Sequence, residues 1–328
     1  MLKLKLATAL LSGAALVASA NAETLKISGL YPAQREGTAL LETISIENFG
    51  GRDGDDLGFA IEEKLQAVSF DGEPYFTVMM GRSASNPDAI LSGTATARID
   101  EYGTTEYRSR CVERNDKGKC TKHKSRKVPC LKRVIDFDGN LRLSDFGDGR
   151  SIFSKSLSDR DEQTICDRDE SFSSSQSVVR GMLGKVAYAV RRDLAPIELH
   201  QDIRVLESRK GMEKGASKSF RAAVKMTKKD EVEACRMWSE LAANSAPHGS
   251  LAFNIGLCAE QAGDFEVALA RYDEAGSLLG KKAEVDQGIR RIRDKQQAGE
   301  DWNARYPAKP EQAAPDADAA SDAASEGS

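Results

Sequence analysis

The sequence predicts an α+β fold: a mixed-sheet α/β domain followed by an all-α helical repeat. Two observations carry this. Residues 24–208 mix short stretches of alternating apolar and polar residues with amphipathic ones, as strands and helices sharing one sheet do. Residues 212–299 read as helix throughout and repeat themselves at a shift of 34 residues.

The ends bound the folded part. Lys3 and Lys5, an apolar run from Leu6 to Val17 and the small triplet Ala20-Asn21-Ala22 make a secretory signal peptide over residues 1–22, cleaved after Ala22. The run is too short to span a bilayer, which takes about 20 apolar residues. Glu23, not cysteine, follows the cut, so no lipoprotein-type anchor is expected, and no later run approaches spanning length. A soluble periplasmic protein is expected, with association to the outer membrane left open. Loss of two lysines takes the formal charge from −4 to about −6, which favours solubility and names no partner. Residues 300–328 end in AAPDADAASDAASEGS, acidic and without aromatics, and read as a disordered tail.

The elements follow in order. ETISIEN (42–48) alternates as a half-buried strand. From Asp55, the apolar positions Leu57, Ala60, Ile61, Leu65 and Val68 fall at helical spacing, with Asp55 or Asp56 able to cap the first turn. Between them lie Gly50, Gly51, Gly54 and Gly58. These glycines match neither a Walker loop nor G-x-G-x-x-G, and Asp53, Asp55 and Asp56 would repel a phosphate, so the stretch is a strand-to-helix turn and no cofactor is expected. Residues 72–81 and 88–99 read as strands. Residues 103–133 are a charged excursion, and 134–157 are two strands about Gly147-Asp148-Gly149. Residues 177–199 hold an amphipathic helix that ends before Pro196.

This order, with its "YFTV" strand, "DAILSGTATA" strand, "LRLSDFGDGRSIFSKS" hairpin and closing helix, resembles the CsgG-like family of curli secretion channels. It is similar also to the penicillin-binding-protein activators and the TolB N-terminal-like domains. The resemblance covers about residues 40–199. It implies a compact domain with one mixed sheet, acting in assembly or regulation at the bacterial envelope, and it brings no catalytic residues. The chain departs from the family in lacking the lipid anchor and in the charge and cysteine content of 103–133.

In the helical region KKDEVEACRMWSEL (228–241) lies over AGDFEVALARYDEA (262–275), matching Asp230 to Asp264, Ala234 to Ala268 and Trp238 to Tyr272. The period, with Ile255-Gly256, Ala259, Gly263, Ala268 and Tyr272, resembles the tetratricopeptide repeat (TPR). Ala252 and Gly280 depart from it, standing where that repeat has an aromatic residue and a proline. Trp238 and Tyr272 are expected in the core, and Ala283 to Gln297 form a capping helix. So short an array is expected to dock on the first domain.

Six cysteines behind a leader favour disulfides. Folding about Asn115-Asp116 would set Cys111 opposite Cys120 and leave Cys130 for Cys166. Cys235 and Cys258, on consecutive helices, could bridge or stay as buried thiols. Zinc on Cys111, Cys120, His123 and Cys130 is the rival, but the spacing is irregular and thiolates oxidise in such a compartment, so no metal is expected.

Residues 108–133 hold eleven Lys or Arg against two acids. Either they form a solvated hairpin, or they bind an acidic protein, a cell-wall polymer or lipid phosphates through Arg110, Lys119, Lys122, Lys124, Arg126 and Lys127. Nucleic acid is not expected, since the leader exports the chain and aromatics for base stacking are missing, with only Tyr102 and Tyr107 nearby. On the repeats, exposed faces near Arg271, Asn254 and Lys225 are the candidates. His123, His200 and His248 are scattered, and neither G-x-S-x-G nor H-E-x-x-H occurs, so an enzyme is not expected. The expected function is a non-enzymatic envelope protein that binds a protein or peptide partner as a scaffold or assembly factor. The alternatives are an oligomeric subunit of an outer-membrane secretion ring, or a hydrolase with dispersed catalytic residues.

Overall fold

A computed structural model describes residues 23–47, 49–81, 86–166 and 170–307. The leader and the chain beyond 307 lie outside the described residues. In chain order the elements are β1 (Thr24–Tyr31), β2 (Thr43–Ile46), α1 (Gly54–Gln66), β3 (Ser69–Phe70), β4 (Glu73–Pro74), β5 (Thr77–Met80), β6 (Ala89–Arg114) and β7 (Cys120–Asp145). Then come β8 (Ser151–Ile165), α2 (Ser175–Leu194), β9 (Ile197–Arg204), α3 (Lys214–Met226), α4 (Glu231–Ala243), α5 (Gly249–Ala262), α6 (Phe265–Leu279) and α7 (Ala283–Arg305). The fold is α+β.

The described residues divide into two compact units, one of Leu30–Glu198 with 294–307, the other of 23–29 with Leu199–Arg293. In the first, a five-stranded mixed sheet has the order β5-β2-β6-β7-β8. β5, β2 and β6 run parallel, and β6, β7 and β8 are antiparallel. One sheet face carries Leu91, Ala95, Ala97, Ile135, Phe137, Leu141 and Leu143 and buries them with Leu57, Ile61 and Leu65 of α1 and Met182, Leu183, Ala187 and Val190 of α2. The other face is polar, with exposed Thr94, Asn140 and Ser156 side by side. Short β2 departs from the expected alternation, since Ile44, Ser45 and Ile46 are all buried. It lies between two parallel neighbours and has no exposed edge.

The glycine-bearing turn is a packing device. Gly50 bridges to Thr94, and a Cβ on Gly51 would lie 2.3 Å from the Ala95 carbonyl oxygen. The cap position of α1 is Asp53, not Asp55 or Asp56. Its carboxylate turns away from the helix and accepts a 2.7 Å hydrogen bond from the Ala97 amide, so it ties the turn to β6.

In the second unit the strand pair β1-β9 clusters with the helices, because Leu25, Ile27 and Val205 pack among Phe220, Trp238, Phe253 and Tyr272. Trp238 and Tyr272 are fully buried, and the Gly256 and Gly288 backbones press on the Tyr272 ring. Beneath that ring Glu260 accepts from the Tyr272 hydroxyl at 2.6 Å and from Arg291 at 3.0 and 2.7 Å. Burial, with the Glu260 charge beside it, pushes the Tyr272 phenol above its ordinary range. Helix α7 runs on past the expected cap to Arg305; this end of it belongs to the first unit, where the Arg305 guanidinium donates to the carbonyls of Ala39, Leu41 and Tyr75.

Candidate functional site

The charged excursion is not a separate insertion. β6 and β7 keep one register from Ala89↔Asp145 to Cys111↔His123, so it is the outer half of a single 26-residue hairpin. β8 accompanies β7 only as far as Leu131↔Ile165. Beyond that point a two-stranded ribbon, from Thr104 to the turn and back to Cys130, reaches about 35 Å from the sheet. The turn differs from the two-residue one expected. Asn115 N–H donates to the Lys119 carbonyl, the Asn115 side chain accepts from the Lys117 and Lys119 amides, and Gly118 takes a φ of 75°. A bulge between Cys111 and Arg114 shifts the register, so Cys111 faces His123 and Cys120 faces Arg114.

Two disulfides staple this ribbon, Cys111–Cys120 near the tip and Cys130–Cys166 where β8 ends; a third, Cys235–Cys258, joins α4 to α5. With these sulfurs bonded in pairs the zinc arrangement on Cys111, Cys120, His123 and Cys130 has no thiolates to offer. The same holds for the cluster of Glu106, Cys130 and Cys166.

Residues directly opposite one another share a face. Arg108 faces Arg126 and Arg110 faces Lys124, so four cations form a two-by-two array, about 5 Å across the strands and 7 Å along them. Like charges in such positions destabilise the pairing. Acids stand close by: Glu106 lies 3.8 Å from Arg108, and Lys122 is paired to Glu113 at 2.8 Å. Of the expected site residues, the structure brings Arg110, Lys124 and Arg126 together. It places Lys122 in an ion pair, Lys119 in the turn and Lys127 on the opposite face, across from Tyr107. Arg108 completes the array, and its spacing of two from Arg110 was the signal that would have added it. Tyr107, 75% exposed, and Val112 sit among these charges.

The faces expected on the repeats differ. Asn254 is fully buried, and its side chain accepts from the Leu206 amide at 2.8 Å and donates to the Leu206 carbonyl at 2.9 Å. It clamps the chain's own backbone. Glu231 and Gln261 hold the backbone of Lys26 in the same manner. Arg271 is paired with Glu274 at 2.7 Å.

Elsewhere, a cleft of about 570 Å³ between α1 and α2 is lined by Phe59, Ile99, Val179 and Leu183 together with charged Arg52, Glu63 and Arg180. The histidines are dispersed: His248 caps α5, His200 meets the Ser28 hydroxyl at 2.8 Å on the exposed face of the strand pair, and His123 lies on the ribbon. Among the described residues no helix is long and apolar enough to cross a membrane.

No family model matches the chain, and no curated protein matches it. Solved structures similar to it include a PelC dodecamer from Paraburkholderia phytofirmans, with 16% identity over 50% of this chain and 97% of that one and a TM-score of 0.24. A putative neuraminyllactose-binding hemagglutinin homolog from Helicobacter pylori has 9% identity over 50% of this chain and 89% of that one, with a TM-score of 0.32. The rare lipoprotein B from Shewanella oneidensis has 12% identity over 45% of this chain and 90% of that one, with a TM-score of 0.21. These neighbours include bacterial lipoproteins, and at such identities and scores their activities say nothing of this chain.

Proposed function

We propose that this chain is a non-enzymatic binding protein of an oxidising envelope compartment, which holds an acidic protein partner through the β6–β7 ribbon. One observation carries the reading. The ribbon sets Arg108, Arg110, Lys124 and Arg126 on one face against their mutual repulsion and is cross-linked at both ends. A ribbon without a core tolerates that arrangement at a cost in stability, and a counter-charged surface would relieve it. Three disulfides among the described residues support an oxidising compartment. The helical unit is then a TPR-like support, in keeping with Trp238 and Tyr272 at equivalent core places, and its α5 face is already engaged by the chain itself. The CsgG-like resemblance of the sheet unit belongs to the same reading, an assembly factor or scaffold.

The test is capture from envelope extracts by the oxidised full-length protein, compared with its Lys124→Glu/Arg126→Glu variant. We expect a defined set of acidic proteins held by the first, released by salt and absent from the second. Identical sets from both would overturn the reading.

A further inference from the structure

The ribbon has open backbone edges as well as charge, and the edge of β7 is the better matched to one kind of ligand. Resting on the reading just given, we propose that β7 between His123 and Lys127 accepts an extended segment of the partner as an added strand, with carboxylates at every second residue.

The phase of the ladder decides which backbone groups are available. Antiparallel pairs alternate between those that exchange hydrogen bonds and those that do not. On β6, the amide of Ala95 and the carbonyls of Gly93 and Ala95 turn away from β7, toward Gly50 and Asp53. Odd-numbered residues of β6 therefore face away from β7, and even-numbered ones bond it. The register joins even to even, as in Arg108↔Arg126, so odd-numbered residues of β7 turn their N–H and C=O groups outward. Pro129 agrees with this phase, since a proline cannot donate and belongs where its nitrogen faces an edge. β8 pairs as far as the neighbouring Leu131↔Ile165, and Pro129 has no amide to donate to the ladder beyond it. Past the proline, His123, Ser125 and Lys127 direct outward groups along an edge on which no strand lies among the described residues.

The side chains on that edge select the occupant. Lys124 and Arg126 stand two residues apart on one face, both exposed, in line with Lys122, which Glu113 already pairs, and no acid occurs on β7 between Cys120 and Arg133. An added strand has the same period, so carboxylates at alternate positions would each meet a cation across the new pairing while the backbone supplies the affinity. The other open edge, on β6, mixes Glu106 and Glu113 with its arginines and is the poorer match.

The probe is a fluorescent ten-residue peptide alternating aspartate and valine, and its control carries proline in place of each valine, with equal charge and half the amide donors. Binding to the oxidised full-length protein is read by anisotropy. We expect the alternating peptide to bind at least tenfold more tightly than the control. Ser125→Pro, which removes one outward donor and no charge, should bring the two peptides to within about twofold of each other. Lys124→Glu/Arg126→Glu should lose both. Equal binding of the two peptides to the unaltered protein, lost on charge reversal, would overturn strand addition and leave the anion-binding reading standing. No binding of either peptide would overturn both. Should Ser125→Pro fail to fold, the peptide pair on the unaltered protein still decides.

Discussion

Gly51 shows how tightly a single position can be prescribed. Its φ of +90° is one that side chains rarely adopt, and a Cβ there would also meet the Ala95 carbonyl at 2.3 Å. Gly72 shares the first feature with a φ of +85° and has nothing within 4 Å. Gly51→Ala should therefore cost about 3 kcal/mol or more, and Gly72→Ala about 1 kcal/mol, because only the first adds a clash with backbone to the dihedral strain. Thermal unfolding of the two variants checks this, and equal losses would mean that the close approach of turn and strand is relaxed in solution. The turn itself was legible from its glycines and aspartates. That Asp53 would bond Ala97 was not, since the pairing is made across 44 residues of chain. Asn254 departs from expectation for a related reason: a polar residue on a helix reads as exposed unless its buried backbone partner, here Leu206, is known.

Among the elements, the long hairpin was read in three pieces. Residues 88–99 and 134–157 alternate and were legible as strands, whereas the intervening segment has both faces in solvent, and without a buried face there is no apolar alternation to read. The helices were clearer because α1, α2 and α3 bury one stripe, although α5 is buried all round from Gly249 to Leu257 and α7 continues past Gln297 to Arg305. A ribbon with no core should open locally. Cys111→Ser/Cys120→Ser removes a link across nine residues, worth about 2–3 kcal/mol in a chain-entropy account. We expect that loss as faster hydrogen exchange in residues 104–128, with little change in the Tm of the whole. Cys235→Ser/Cys258→Ser, within the packed helices, should instead lower the Tm. A fall in Tm from the ribbon variant equal to that from the helical one would show that the ribbon is part of the global folding unit.

For the molecule as a whole, acid should be the weak side. Hydrogen bonds from Lys185 hold Asp159 below its usual range, those from Lys132 and Arg160 do so for Glu162, and that from Lys228 does so for Glu23. A carboxylate lowered in the folded state stabilises it fully above the ordinary carboxylate range, and that contribution is lost as pH falls through the lowered value. The Tm should thus be level above about pH 5 and decline below about pH 4, with a shallower decline in Asp159→Asn. A Tm unchanged down to pH 2 would contradict it. The cations along β7 have one more consequence, for molecules of this kind in a crowd. An open strand edge invites its own copies, and a second ribbon would bring the same row of positive charge to the pairing. The edge that welcomes an acidic strand thereby refuses itself, so an unoccupied population can wait at high concentration without self-association.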